Sequence, residues 1–475
     1  MKPAKKSLRG LPAVEVLLRH PAVAAAGADV PRRLLVESIR AELALERMRL
    51  RSGSAGALSV AELAARAAAR AREAGRPTLR RVLNATGVVL HTNLGRAPLA
   101  GPARAAVADV AAGYCSLEYD FATGRRGRRG TGVERWLCRL TGAEAALAVG
   151  NGAAAVLLAV TALAAGRRVL VSRGELVEIG DSFRIPEVLE RSGAALVEVG
   201  TTNRTHLRDY ERALERWNDV AVILRVHPSN FRLAGFTARP ERAELAALAR
   251  RRRIRLVEDL GSGALVDLAA FGLESEPTVG ECLAEGCDVV TCSGDKLLGG
   301  AQAGLVLGRR SSVEAIRRDP LTRAVRADKL ALAALEATLP LYADPGRAAS
   351  EVPVLAMLRR RAPELEARAR RLADRLTALV PGITVRVVGS SGEVGGGSLP
   401  QQVLPGWAVE VARAGWSARE LEQCARAAEP AVIGTVRAGR WRLDPRTLAD
   451  AELEEVAATL ARALAEAPGA GRGFD

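Results

Sequence analysis

The chain has 475 residues, 48% of them hydrophobic and 26% charged, with a net charge of +15. That composition fits a soluble globular protein with room for two or three domains. The longest uncharged stretch, Ala145 to Gly166, has the length of a membrane span, but Gly150-Asn151-Gly152 breaks it near its start, so it reads as strand, tight turn and helix. Six scattered cysteines with no C-x-x-C pair, and only four histidines, argue against a metal site. Pro12, Glu15, Arg19 and His20 interrupt any signal-peptide core, and a cytoplasmic location is expected.

The first segment reads as three amphipathic helices: "LPAVEVLLRH", "PRRLLVESIRAELALERMRL" and "SVAELAARAAARAREAG", the last with a serine cap and a glycine stop. Residues 1–81 hold seventeen cations and seven acids, a net +10, so two thirds of the total charge sits in the first sixth of the chain. Such asymmetry is the footprint of a nucleic-acid-binding module. We assign residues 1–75 to this domain and 76–84 to a linker.

From there to about residue 336, β-branched runs alternate with alanine-rich helices: "AALAV", "RVLVS", "ALVEVG", "AVILRV", "IRLVEDL", "DVVTCS" and "AGLVLG" are the predicted strands. The alternation predicts a three-layer α/β domain with a mainly parallel sheet over 85–336. Residues 337–475 read as a helical connection and a small α+β domain, with Ser390–Pro400 as its flexible joint.

Only five of the 69 basic residues are lysine, three of them in the leader, which leaves Lys296 and Lys329. An ε-amine can lose its proton and bond a carbonyl, which a guanidinium cannot. Lys296, in "TCSGDKLLGGAQAG", follows a predicted strand, and Asp259 ends another, in "IRLVEDLGSGALVD". "VGNGAAAVLLAV" places Asn151 and Gly152 at a strand-to-helix turn whose free N–H groups suit a phosphate. A lysine, a strand-end acid and a phosphate anchor are what pyridoxal phosphate needs. Ser293 adds a hydroxyl, Asp295 a second ionisable group, and His227 in "RVHPSNFRLAGF" ends a strand where it can face the cofactor. Arg96, Arg323 and Arg326 are candidates to bind a compact oxyanion, the last two sharing a face if helical. "EYDFATGRRGRRG" reads as a mobile basic loop.

With "NATGVVLHTNLGRAPL", "SRGELVEIGDSFRIPEVLERSGA", "HPSNFRLAGF", "SGDKLLGGAQAG" and "RAVRADKLALAALEATL", the sequence resembles the bacterial L-seryl-tRNA(Sec) selenium transferases over nearly its whole length. The resemblance implies a fold-type-I pyridoxal-phosphate enzyme, with Lys296 as the aldimine lysine and Asp295 assisting it. It also implies that Arg96, Arg323 and Arg326 receive selenophosphate, and that the basic helical domain binds Ser-tRNA(Sec). Dehydration to aminoacrylyl-tRNA followed by selenium addition, in a homo-oligomer built as a decameric ring of dimers, completes the expectation. Asp181 and Ala301 stand where the family is expected to carry glycine and proline. The alternative is a related pyridoxal-phosphate lyase acting on a small amino-acid or sugar-acid substrate.

Overall fold

The computed structural model describes residues 10–52, 57–179, 183–400 and 402–466; Asp181 and the leader lysines lie outside them. The chain divides into two compact units, residues 1–81 and 82–475.

The first unit contains α1 (Val14–Leu18), α2 (Pro21–Ala26), α3 (Arg32–Arg51) and α4 (Val60–Gly75). The short α2 is one helix more than expected. Pro21 cannot extend α1 but suits the first turn of a new helix. A capping box between Ser59 and Glu62 starts α4. The core packs Leu17, Val23, Leu35, Ile39 and Leu43 against Leu63 and the alanine stripe Ala64, Ala67, Ala68 and Ala71. Glu46 is buried beside it, held by Arg49 at 2.7 Å and by the Leu58 N–H at 2.9 Å. The Arg49 hydrogen bond is the main reason its carboxyl is lowered to about 2.

The second unit opens with a strand, Val82–Asn84, in parallel with Ala431–Ile433. The end of the expected linker is thus structured. All seven predicted strands are present: β1 (Ala145–Val149), β2 (Arg168–Ser172), β3 (Ala195–Val199), β4 (Val220–Val226), β5 (Arg255–Gly261), β6 (Val289–Ser293) and β7 (Gly304–Gly308). They form one sheet in the order β1-β7-β6-β5-β4-β2-β3. From β6 through β3 the neighbours run parallel, and β7 is antiparallel to β6 and β1. Successive residues serve opposite cores. Leu170, Ile223, Leu256 and Val290 face one side, and Val169, Val222, Val257 and Val289 face the other. Burial on both faces explains why these strands read as unbroken apolar runs. It also places the carboxyl ends of β4, β5 and β6 together, the edge where such sheets bind ligands.

A second sheet of five strands orders Thr435–Arg437, Arg440–Leu443, Val403–Arg413, Ile383–Gly395 and Val88–Leu90. Most of the expected joint at Ser390–Pro400 is therefore strand. Ser390 to Glu393 are paired with Gly406 to Val403, and Glu393 and Gly395 with Val88 and Leu90. Two partners hold in place a Gly/Ser-rich segment whose own propensity is poor. Leu83 and Ala85 enter the same core as Leu372, Leu376, Val409 and Trp441. The chain accordingly does not divide at residue 336, and 82–475 is one unit. The expected helical connection is a series of helices, and from residue 329 to 379 the chain forms Lys329–Thr338, Pro345–Glu351, Pro353–Leu358 and Ala362–Leu379, each of the last three carrying proline in its first turn. Among the described residues, no helix is long and apolar enough to cross a membrane.

Candidate active site

Lys296 lies in the turn after β6 and is 5% exposed. Burial pushes its amine below the ordinary lysine range; the Asp259 carboxylate opposes that shift and Arg96 adds to it. Asp259, on β5, accepts a hydrogen bond from the Thr291 hydroxyl at 3.1 Å. Burial pushes its carboxyl up to about 6, against the pull of Lys296. An acid moved up and an amine moved down at adjacent strand ends are the perturbations expected of a reacting centre.

The helix Gly152–Ala164 starts beside them. A Cβ at Gly152 would lie 2.5 Å from Ser293 Oγ, so the serine hydroxyl sits directly over the helix start. The N–H groups of Gly152 and Ala153 have no partner among the described residues. The Asn151 carboxamide oxygen caps the helix by accepting from Ala154 N at 2.8 Å, which leaves the role expected of this turn to its backbone N–H groups.

His227 follows β4, its backbone N–H donating to the Asp259 carbonyl at 2.9 Å. Its Nε2 stands 3.2 Å from Oε1 of the buried Glu276. The two line a cavity of about 430 Å³ with Ser172, Glu175, Thr205 and Arg239. Two hydroxyls that the sequence reading passed over, Ser229 Oγ and Ser262 Oγ, are buried without a hydrogen-bond partner among the described residues. Ser229 is placed by Gly261, where a Cβ would lie 3.3 Å from Ser229 Oγ and 3.8 Å from Lys296 Nζ. The available signal was a serine in a Gly or Pro turn just after a strand, in "HPSN" and "DLGSG". Gly397 closes the wall: a Cβ there would fall 2.4 Å from Lys296 Nζ, and its φ is +84°.

A buried amine, a buried acid one strand away, a hydroxyl over a helix N-terminus and two unpartnered hydroxyls fit pyridoxal 5′-phosphate.

The arginines are less united than expected. Arg96 donates to Asp295 at 3.0 Å, so these two candidates are partners of each other. Arg323 lies in a single helical turn, Leu321–Ala324, that ends before Arg326. The two do not share a helical face, because Arg326 instead bridges Val149 through its backbone. Its guanidinium stands 3.8 Å from Glu118, which also holds Arg126 at 2.7 Å and Arg129 at 3.0 Å. The basic loop is thus a paired hairpin, Tyr119–Asp120 with Arg125–Arg126. Arg323 and Arg326 line a cleft of about 440 Å³ with Arg129 and Arg317. Arg96 is not among the described residues that line this cleft. Lys329 donates to the carbonyls of Val110 and Gly113 at 2.9 and 3.1 Å, which caps the helix Gly101–Ala111 and gives this lysine a structural role. Around Ala301 the loop is closed by backbone bonds, Gly294 N to Ala303 O and Gly300 N to Gly294 O, which an alanine leaves intact.

The family profile described as L-seryl-tRNA selenium transferase matches residues 82–449, and that described as selenocysteine synthase N terminal matches residues 8–47. The chain belongs to the L-seryl-tRNA selenium transferase family. It is 50% identical over 461 residues to the L-seryl-tRNA(Sec) selenium transferase of Desulfomicrobium baculatum, covering 96% of this chain and 99% of that one. Its counterpart in Moorella thermoacetica is 48% identical over 466 residues, covering 97% and 98%. Among solved structures, D-glucosaminate-6-phosphate ammonia-lyase superposes with a TM-score of 0.53 at 20% identity, covering 81% of this chain and 96% of that one, a likeness of fold. Members of the family are pyridoxal-phosphate-dependent transferases, and this chain is one.

Proposed function

We propose that the chain converts seryl-tRNA(Sec) to selenocysteinyl-tRNA(Sec), with selenophosphate as selenium donor. The observation that carries this is the buried Lys296–Asp259 pair at adjacent strand ends, in a chain that matches the family in both of its units. When bound, pyridoxal phosphate supplies an aldehyde that bonds amines and a ring that takes up the electron pair left at the serine α-carbon.

In this reading Lys296 holds the cofactor and moves the α-proton, because burial favours the unprotonated amine that can accept it. Asp259 would pair with the ring nitrogen of the cofactor and favour its protonated form; a positive charge beside it would draw its carboxyl back down from about 6. Ser293 and the start of the helix Gly152–Ala164 would hold the phosphate, and Ser229, Ser262 and His227 would supply further polar contacts to the cofactor. Asp295 fixes Arg96 close to the amine, and assists proton movement there as the serine hydroxyl leaves as water. Arg323 and Arg326, in a cleft walled by further guanidiniums, receive the selenophosphate oxygens together with Arg96.

Within one chain Arg96 does not line the cleft of the other two, and in this reading a neighbouring subunit of a homo-oligomer completes the set. A decameric ring of dimers is the form implied by family resemblance. The basic unit at residues 1–81 binds the tRNA body, and a cytoplasmic location accords with such a substrate. Lys296→Ala should abolish selenocysteinyl-tRNA formation and cofactor retention; a fully active variant would refute the assignment.

A further inference from the structure

A cleft of about 520 Å³, one residue away from the wall against Lys296, plays no part in the roles above. One wall is the turn after the strand Val88–Leu90, which presents His91, Thr92 and Asn93. The opposite wall includes Glu393, Leu399 and Val403. Its volume falls within the range of small-molecule sites, roughly 300–1,000 Å³.

Two contacts tie this cleft to the reacting amine. A Cβ at Gly396, in its lining, would fall 2.6 Å from Thr92 Oγ1, and one at the next residue, Gly397, 2.4 Å from Lys296 Nζ. The turn that supplies His91, Thr92 and Asn93 ends at Arg96, which is bonded to Asp295 beside the lysine. Leu399 and Pro400 line both this cleft and the cavity that holds His227.

The charge of the cleft selects its ligand. In a chain with 64 arginines, no lysine or arginine lines it among the described residues, although a phosphate site would recruit them. Its carboxylate, Glu393, is answered by Arg437 at 3.7 Å. What remains is a nearly neutral surface with unused hydrogen-bonding groups. Among the described residues, buried His91 Nδ1 has no hydrogen-bond partner, nor has the exposed Asn93 carboxamide. An apolar slot with an imidazole and a carboxamide suits an unstacked nucleobase, which packs its faces and pairs its edge.

We propose that this cleft binds the terminal adenosine of the seryl-tRNA, with Asn93 and His91 reading the base and Leu399 and Val403 packing its face. This rests on the seryl-tRNA substrate proposed above. The reacting serine is joined to the ribose of that adenosine by a single ester, so the nucleoside must lie next to the lysine that handles the serine. The cleft meets that requirement through one intervening residue, Gly397.

The test measures binding of the cofactor-loaded enzyme to tRNA(Sec) with and without its 3′-terminal adenosine. The wild type should bind the intact tRNA about tenfold more tightly. Asn93→Ala, and Val403→Trp to fill the slot, should bring the intact tRNA down to the affinity of the trimmed one, with the trimmed affinity and cofactor absorbance unchanged. No difference in the wild type, or a tenfold difference surviving in both variants, overturns the proposal. So does a smaller oligomer with Val403→Trp, since it would mean that a second copy of the chain fills the cleft. Product formation by the wild type is scored separately. An enzyme that senses the terminal adenosine yet forms no selenocysteinyl-tRNA keeps the nucleoside site and refutes the reaction.

Discussion

Replacing Gly397 by alanine puts a methyl group 2.4 Å from Lys296 Nζ and 2.8 Å from its Cε, about 1 Å inside ordinary contact. Two costs can be separated. The backbone at φ +84° is left-handed, which penalises any residue with a Cβ by about 1–2 kcal/mol. The overlap adds about 1–3 kcal/mol, as overpacking does in buried sites, and the cheapest relief is for the lysine tip to swing away from where it acts. Gly397→Ala should therefore lose about 2–5 kcal/mol in urea unfolding of the cofactor-free protein. In a Lys296→Ala background the overlap disappears and only about 1–2 kcal/mol should be lost. The coupling from this double-mutant cycle, about 1–3 kcal/mol, measures the contact itself. In the cofactor-loaded enzyme the single variant should also retain less cofactor. Equal losses in the two backgrounds would show that residue 397 does not meet the lysine, and the proposed wall of the site would have to be redrawn.

The raised carboxyl of Asp259 has a consequence for pH. A folded-state value of about 6 against 3.8 gives stability that is present below pH 4 and lost as pH rises through 6, about 3 kcal/mol in all. Asp259→Asn, which never ionises, should gain on the cofactor-free wild type across that window, and parallel pH curves of Tm would contradict the burial argument. Removing residues 1–75 should weaken tRNA binding severalfold in filter or fluorescence assays while cofactor absorbance stays intact, and unchanged affinity would disprove the role given to the basic unit. Lys329→Ala uncaps the helix Gly101–Ala111, so it should lower stability by about 1 kcal/mol with kcat unchanged. A loss of activity at full stability would give that lysine a chemical role instead.

Much of the central sheet was legible because its strands are buried on both faces. Each needs a short apolar run, and each is followed by the turn residues that end it. Lys296 and Asp259 stood out for the same reason, as charged groups at the ends of such runs. Ser390–Pro400 was read wrongly because its glycines and serines have little strand propensity of their own, and only pairing with Val403–Arg413 and Val88–Leu90 makes most of it a ladder. Arg323 and Arg326 looked like one helical face because spacing predicts contact only within a continuing helix, and this one stops after a single turn.

The sequence by itself was enough for the alternation that makes the α/β sheet, the lopsided charge, the family, and the few residues able to do amine chemistry. These are properties of composition and local order, which survive without knowledge of any distant contact. Which groups meet was decided only by tertiary structure. Arg96 with Asp295, Gly397 with Lys296, and the cleft between residues 88–93 and 393–403 join segments up to hundreds of residues apart. Such contacts depend on how the sheets and loops close in three dimensions, and no periodicity along the chain records that. The two unpartnered serine hydroxyls belong to the same class, because a serine in a turn is ordinary until burial removes every other partner.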